Sequence, residues 1–260
     1  MTSRGLSFGA AASAYEQHRP GYPQELVDLV LAYGRERREI RTALEIGAGT
    51  GKATRAFAGA GVVVTATEPD AAMLAELRRQ VPEVETIHAP FEDVAVMRRF
   101  DLVFAAAALH WTSPEGRWER VAALLAPGGT FASFGGPVEI ADARLRERVE
   151  QARARYVIDD DIPAPDGTDE TSPMRWPGSE LEASPLFTDV RQEHLARRLT
   201  LSADDYLAHL ATISAYLQLA PAIRTAAFAA MGEALPGQVE LSADLTVHLA
   251  RLGAPTEPFE

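Results

Sequence analysis

Apolar residues in this chain switch between helical and strand spacing, and the switches lay out its elements. Leu26, Val27, Val30 and Leu31 recur on one face, which predicts a helix over 24–33. An alanine-rich stretch predicts a shorter helix over 8–18, and Arg19-Pro20-Gly21-Tyr22-Pro23 separates the two as a rigid turn. From residue 42, short β-rich runs at 42–46, 62–67, 85–88, 100–106 and 130–134 alternate with helical segments. The helices run from the glycines at 47–51 to about Ala58, through Met73, Leu74 and Leu77 behind a capping Asp70, and over 114–125. This alternation predicts an α/β fold with a parallel, doubly wound sheet and right-handed crossovers.

The rhythm changes after Gly136. Leu145, Val149, Ala152 and Tyr156 share one face of a helix predicted over 140–157. An acidic, proline-rich loop follows at 158–179, and 187–201 reads as extended. Ser202 with Asp205 forms a capping-box variant ahead of a helix bearing Tyr206, Leu210, Ile213 and Leu217. Pro221 opens another helix that closes near Pro236-Gly237, and alternating Leu245, Val247 and Leu249 predict a final strand.

Composition narrows the partners. The chain has 260 residues, 47% hydrophobic and 24% charged, which is globular composition. With 25 basic and 37 acidic residues the net charge is −12, a poor match to the nucleic-acid backbone. Cysteine is absent, which excludes disulfides, thiolate nucleophiles and cysteine-based zinc sites, and no His/Asp/Glu spacing resembles a metal ligand set. Neither a signal-like leader nor a membrane-length apolar run is visible, so the expectation is a soluble cytoplasmic protein with no membrane partner. The acidity is uneven. Residues 1–136 carry 14 bases and 16 acids, a net −2, while 137–260 carry 11 bases and 21 acids, a net −10. Six of those acids, Asp159, Asp160, Asp161, Asp166, Asp169 and Glu170, fall within 159–170. Lys52 is the only lysine, which reads as genomic bias towards arginine.

Leu44-Glu45-Ile46-Gly47-Ala48-Gly49-Thr50-Gly51 joins a strand to a helix, where glycines allow a tight turn and a ligand can reach bare backbone. A phosphate-binding P-loop fails here twice: Ile46 stands where its first glycine belongs, and Ala53 replaces the magnesium-binding hydroxyl. A dinucleotide loop fits Gly47 and Gly49, but Lys52 stands where a small residue should pack. Glu68 lies 19 residues after Gly49, at the end of the second strand, where a carboxylate can accept hydrogen bonds from a ribose diol.

Glu45-x-Gly47-x-Gly49-x-Gly51 with Glu68 resembles the first motif of class I S-adenosylmethionine-dependent methyltransferases. Phe91-Glu92-Asp93, Phe100-Asp101-Leu102-Val103, Leu109-His110-Trp111 and Leu124-Leu125-Ala126-Pro127-Gly128-Gly129 extend the resemblance through about residue 136. Tyr15…Arg19-Pro20-x-Tyr22-Pro23 and the His-Trp pair resemble the small-molecule branch, with its trans-aconitate-methyltransferase-like and methyltransferase type 11 members. The resemblance implies a Rossmann-like, seven-stranded, mostly parallel sheet with an N-terminal helical flap and a C-terminal helical lid. The cofactor core with its flap would take 1–136, and the lid and sheet-completing strands 137–260, within one domain. It implies S-adenosylmethionine as cofactor, with Glu45, Gly47, Ala48, Gly49, Glu68, Pro69, Phe91, Glu92 and Ala107 as its site. Phe91 would pack on the adenine, Glu92 would meet the exocyclic amine, and Glu45 would orient the loop and the ammonium group.

The implied reaction moves an activated sulfonium methyl by in-line displacement onto a small molecule. Alignment and desolvation would do most of the work. His110 is the candidate base, or else a histidine that caps the next helix. Trp111 is a candidate pocket wall, or packs beneath that helix. Tyr15, Arg19 and Tyr22 could close as a flap, and Trp176 could reach the acceptor from the lid. Arg175, His194, His209 and Tyr216 lie in the same region, where packing or solvent exposure competes with a role in the site. The acidic lid half favours a neutral or cationic acceptor. Two other readings stay open: a nucleotide-dependent oxidoreductase on the same kind of sheet, and a non-catalytic module that binds the cofactor.

Overall fold

The computed structural model describes residues 11–157 and 164–254. Five of the expected strands appear in order: β1 (Thr42–Ile46), β2 (Val63–Thr67), β3 (Glu85–Ile87), β4 (Phe100–Ala106) and β5 (Leu125–Gly135). Between and around them lie α1 (Ala12–His18), α2 (Gln24–Arg35), α3 (Lys52–Gly59), α4 (Ala71–Gln80) and α5 (Arg117–Leu124). The rest of the chain supplies β6 (Glu139–Ile140), α6 (Ala143–Arg153), α7 (Gly178–Ala183), β7 (Phe187–Leu195), β8 (Arg198–Ser202), α8 (Ala203–Leu210), α9 (Ser214–Leu217), α10 (Pro221–Ala234), β9 (Gln238–Ser242) and β10 (Leu245–Leu252).

Seven strands form the main sheet in the order β3-β2-β1-β4-β5-β10-β7. All pairs from β3 to β5 are parallel, and β10 runs antiparallel to both β5 and β7. The expected α/β, mostly parallel Rossmann-like sheet is therefore present, with one reversed strand. Its two faces follow from strand periodicity. On β4, Leu102 and Phe104 pack with Leu26, Val30 and Phe57 on one face. Val103 and Ala105 pack with Val121, Leu124 and Phe131 on the other.

Sequence order reverses between β1 and β4, where β2 lies to one side of β1 and β4 to the other. Crevices at the carboxyl ends of strands open at such a switch point. The glycine loop after β1 and the His110-Trp111 turn after β4 both lie there.

The C-terminal half departs from the expected elements in several places. The 187–201 segment is two strands, and they belong to different sheets: β7 edges the main sheet, and β8 joins β9 and β6 in a small antiparallel one. β9 was not foreseen, since its pattern follows a helix directly and spans five residues. Ile140 belongs to β6, because Asp142 caps the helix behind it by accepting the Leu145 N–H at 2.7 Å. The helix expected to run through Leu217 breaks after Leu210, where the Thr212 hydroxyl donates to the His209 carbonyl at 2.7 Å. This unit has its own apolar cluster of Ile140, Val149, Tyr206, Leu210, Tyr216, Met231 and Leu241. Of the acidic loop expected over 158–179, residues 158–163 lie outside the described residues.

Candidate active site

The glycine loop turns because three of its residues take left-handed backbone, Gly47 at φ 63°, Gly49 at 58° and Gly51 at 89°. A Cβ on Gly47 would lie 2.8 Å from the Ala108 Cβ, and one on Gly51 2.9 Å from Leu77 Cγ. The loop therefore packs against the start of the His110 turn at Gly47 and against α4 at Gly51, with no room for a side chain at either glycine. Ala107, which precedes that turn, is itself left-handed at φ 51°.

Two carboxylates sit under the loop. Glu68 closes it to the end of β2: Oε2 accepts the Gly49 N–H at 2.8 Å and Oε1 the Asp70 N–H at 2.9 Å. Burial raises its pKa, and those two bonds pull the other way. Glu45, in the middle of the sheet, is fully buried. Its Oε2 accepts the Thr54 hydroxyl at 2.5 Å, while Oε1 is buried without a hydrogen-bond partner. Burial, offset in part by Thr54, pushes the Glu45 pKa up to about 8.

His110 and Trp111 sit on a single 3₁₀ turn, Leu109–Trp111, with ring centroids 4.4 Å apart. Burial and then the Arg117 cation push His110 down to about 4, so its imidazole is neutral at ordinary pH. Arg117 braces the turn from below: Nε donates to the Thr112 hydroxyl at 2.9 Å and Nη2 to the Thr112 carbonyl at 3.0 Å. Its guanidinium also lies 5.4 Å from the Trp176 ring centre.

These parts surround one cavity of about 1040 Å³. Glu45, Gly47, Ala48, Gly49, Glu68 and Ala107 line one side, and His110 and Trp111 stand in its wall. Tyr15, Arg19, Tyr22 and Trp176 line it as well. Pro69, Phe91 and Glu92 instead line a recess of about 10 Å³ that shares Gly47 and Ala108 with the main cavity. Phe91 is buried in the core and the Glu92 carboxylate accepts the Ser113 N–H. His194 lies on β7 beside Gln192 and the lining residue Thr246 without lining the cavity itself, whereas Arg175, His209 and Tyr216 belong to the lining.

Several lining residues were not foreseen. Arg146, Glu150 and Arg153 project from α6, and Arg197 from the turn between β7 and β8. The α6 residues follow a spacing of four and three beside Leu145 and Val149, so the signal was present in the helix. Arg197 carries no local signal, because its turn reaches the site only through the pairing of β7 with β10. His209 is 1% exposed, with Nδ1 unpartnered, and burial and Arg19 push it down to about 4 against a bond to the His18 backbone.

Among the described residues, six cations (Arg19, Lys52, Arg146, Arg153, Arg175, Arg197) and six carboxylates (Glu45, Glu68, Glu139, Glu150, Asp169, Glu170) line the cavity. The described part of the wall therefore does not share the acidic excess of the C-terminal half. Among the described residues there is no cluster of three or more metal-binding side chains, and no helix is long and apolar enough to cross a membrane.

The fit of an adenosyl-sulfonium cofactor rests on two features. Glu45 Oε1 is a buried acceptor without a donor, suited to an ammonium. The side-chain-free surface at Gly47 and Gly49 lets a ligand meet backbone.

Comparison with known proteins agrees with this geometry. Residues 43–129 match the family model of a methyltransferase domain. An uncharacterized methyltransferase of Mycobacterium bovis is 38% identical over 125 residues, which cover 48% of this chain and 49% of that protein. The chain thus aligns with about half the length of this relative. A structure from Anaeromyxobacter dehalogenans, assigned to the type II methyltransferases, superposes with a TM-score of 0.66 at 22% identity, covering 90% of this chain and 97% of the other. The S-adenosylmethionine-dependent methyltransferase of Thiobacillus denitrificans, solved with S-adenosyl-L-homocysteine, superposes with a TM-score of 0.50 at 16% identity, over 95% and 98% of the two chains. Residues 43–129 thus match a methyltransferase domain, and the chain shares its fold with solved methyltransferase structures.

Proposed function

We propose that the protein transfers a methyl group from S-adenosylmethionine to a small-molecule acceptor held in the cavity between the glycine loop and the lid, in cytoplasmic small-molecule metabolism. The observation that carries this reading is the unpartnered Oε1 of Glu45, buried beneath the glycine loop in a residue that lines the same cavity as Glu68. Glu45 would hold the cofactor's ammonium, Glu68 its ribose hydroxyls, and backbone at Gly47, Ala48 and Gly49 its methionine part. Pro69, Phe91 and Glu92 would flank the adenine, with Ala107 beside the reacting end. When bound, the cofactor supplies a sulfonium-activated methyl.

The chain's own residues would then align the acceptor and exclude water. Trp111 and Trp176 offer apolar walls, and the neutral His110 can accept a hydrogen bond from the acceptor's nucleophilic group. Tyr15, Arg19 and Tyr22 would cover the opening. The exposed Glu139, Glu150, Asp169 and Glu170 favour neutral or cationic groups at the mouth. Arg19 and Arg197 further in have no carboxylate partner among the described residues, so that preference applies to the mouth and not to the inner wall.

Calorimetric titration separates this reading from a dinucleotide enzyme: S-adenosylhomocysteine should bind and NADH should not. NADH binding without S-adenosylhomocysteine binding would overturn it. A screen of small-molecule acceptors with methyl-labelled cofactor then tests transfer.

A further inference from the structure

We infer that Lys52 and Glu16 form a latch that positions the N-terminal helix over the cofactor side of the cavity and sets how fast the cofactor leaves. The inference rests on the cofactor reading above and concerns residues that reading does not use.

Lys52 opens α3 immediately after the glycine loop. Its Nζ donates to the Glu16 carbonyl at 2.6 Å and lies 3.4 Å from the Glu16 carboxylate. Both side chains are nearly buried, at 10% and 12% exposure. The same carboxylate accepts the Thr50 hydroxyl at 2.7 Å and pairs with Arg55 at 3.1 Å. One residue of α1 is thus held by a residue of the glycine loop and two of the helix behind it. Tyr15, its neighbour, lines the cavity, and the Arg19 guanidinium lies 5.2 Å from the Tyr15 ring centre. Arg19 Nε in turn donates to the Thr212 hydroxyl at 2.8 Å. The flap is therefore anchored to the glycine loop at Glu16 and to the lid at Arg19.

The Lys52 contact is more than incidental on two counts. First, α1 has seven residues, too few to hold its place by helix propensity, so its position depends on tertiary anchors. Second, the chain uses arginine for every other basic residue, 24 of 25. A compact ammonium can serve a carbonyl and a carboxylate together in a confined space, where a planar guanidinium needs a wider fork. The lysine that disqualifies the dinucleotide loop is thus explained by the flap it holds.

The test is the dissociation rate of S-adenosylhomocysteine, by displacement in a stopped-flow instrument, for wild type, Lys52→Met, Glu16→Gln and the double variant. The latch predicts dissociation at least tenfold faster in Lys52→Met. The double variant should be no faster than the faster single variant. Hydrogen exchange at residues 12–18 should speed up in the same variants. If Lys52→Met does not fold, Glu16→Gln, which keeps side-chain size, carries the measurement. Wild-type binding with unchanged dissociation and exchange in the folded variants overturns the latch alone. Wild-type protein that binds no S-adenosylhomocysteine overturns the cofactor reading and the latch with it.

Discussion

Glu68 and Gly49, 19 residues apart, meet where the Gly49 N–H donates to Glu68 Oε2 at 2.8 Å. The bond staples the glycine loop to the end of the neighbouring strand, and the Asp70 N–H occupies the other carboxylate oxygen at 2.9 Å. Each oxygen keeps a further acceptor position, so the carboxylate can shape the loop and still receive ligand hydroxyls. Glu68→Ala should weaken S-adenosylhomocysteine binding by about 100-fold, about 2.7 kcal/mol, through lost ligand bonds and a loosened loop. Glu68→Gln should fall short of full rescue, because its amide nitrogen meets a backbone N–H where an acceptor is needed. Titration calorimetry of the three proteins reads both effects; equal affinities would remove Glu68 from the site.

Glu45 makes a pH prediction. Its pKa is about 8 in the folded protein against an ordinary 4.5. The folded state therefore holds this proton more tightly than the unfolded chain. The contribution to stability is full below pH 4.5 and is lost as pH rises to about 8, at up to ~1.4 kcal/mol per pH unit. The difference in unfolding free energy between wild type and Glu45→Gln should follow that slope between pH 5 and 8 and level off above it. An ammonium at Oε1 favours the carboxylate, so S-adenosylhomocysteine should bind wild type more tightly as pH rises from 6 to 8. Glu45→Gln should lose this trend as well as affinity. Parallel stability curves for the two proteins would show that Glu45 is ionised throughout.

What was legible in the sequence follows from how local each signal is. The strand–helix alternation through residue 136 depends on short apolar runs and turn residues, and Gly47, Gly49 and Glu68 carry their geometry in their spacing. Capping at Asp70 was readable too, since its side chain accepts the Ala72 and Met73 N–H groups at 2.8 and 3.0 Å. The C-terminal half was harder. Nothing local distinguishes one long strand at 187–201 from two that part at Ala196 and Arg197, because their partners, β10 and β9, lie far along the sequence, at 245–252 and 238–242. The net charge says less about the cavity for a related reason: among the described residues, many of the carboxylates it counts, such as Glu147, Glu182 and Asp204, are not part of the lining.

Arg117 ties the His110 turn to the lid. Its side chain is 1% exposed, with Thr112 and Glu180 as partners, the latter at 3.4 Å. Arg117→Met should destabilise the protein by about 2–4 kcal/mol, because the Thr112 carbonyl and Glu180 lose a buried charged donor. The same change removes the cation that depresses His110, whose pKa should rise from about 4. Chemical denaturation reads the first effect and NMR titration of the imidazole the second. An unmoved His110 would show that burial alone holds it low.

His110 tests the chemistry directly. With a pKa of about 4 it stays neutral from pH 5 upward, so turnover should show no limb near 6.5 from this residue. A base this weak supplies little driving force for removing a proton, and its ring nitrogens have no hydrogen-bond partner among the described residues to raise it. In the proposed reaction it would instead accept a hydrogen bond that aligns the acceptor. His110→Ala should therefore cut turnover by about 10- to 100-fold while leaving S-adenosylhomocysteine affinity within about twofold. His110→Asn, whose carbonyl can still accept, should recover part of the loss, which a residue needed as a base would not allow. A rate that rises through pH 6.5 in wild type and flattens in His110→Asn would instead establish His110 as the base.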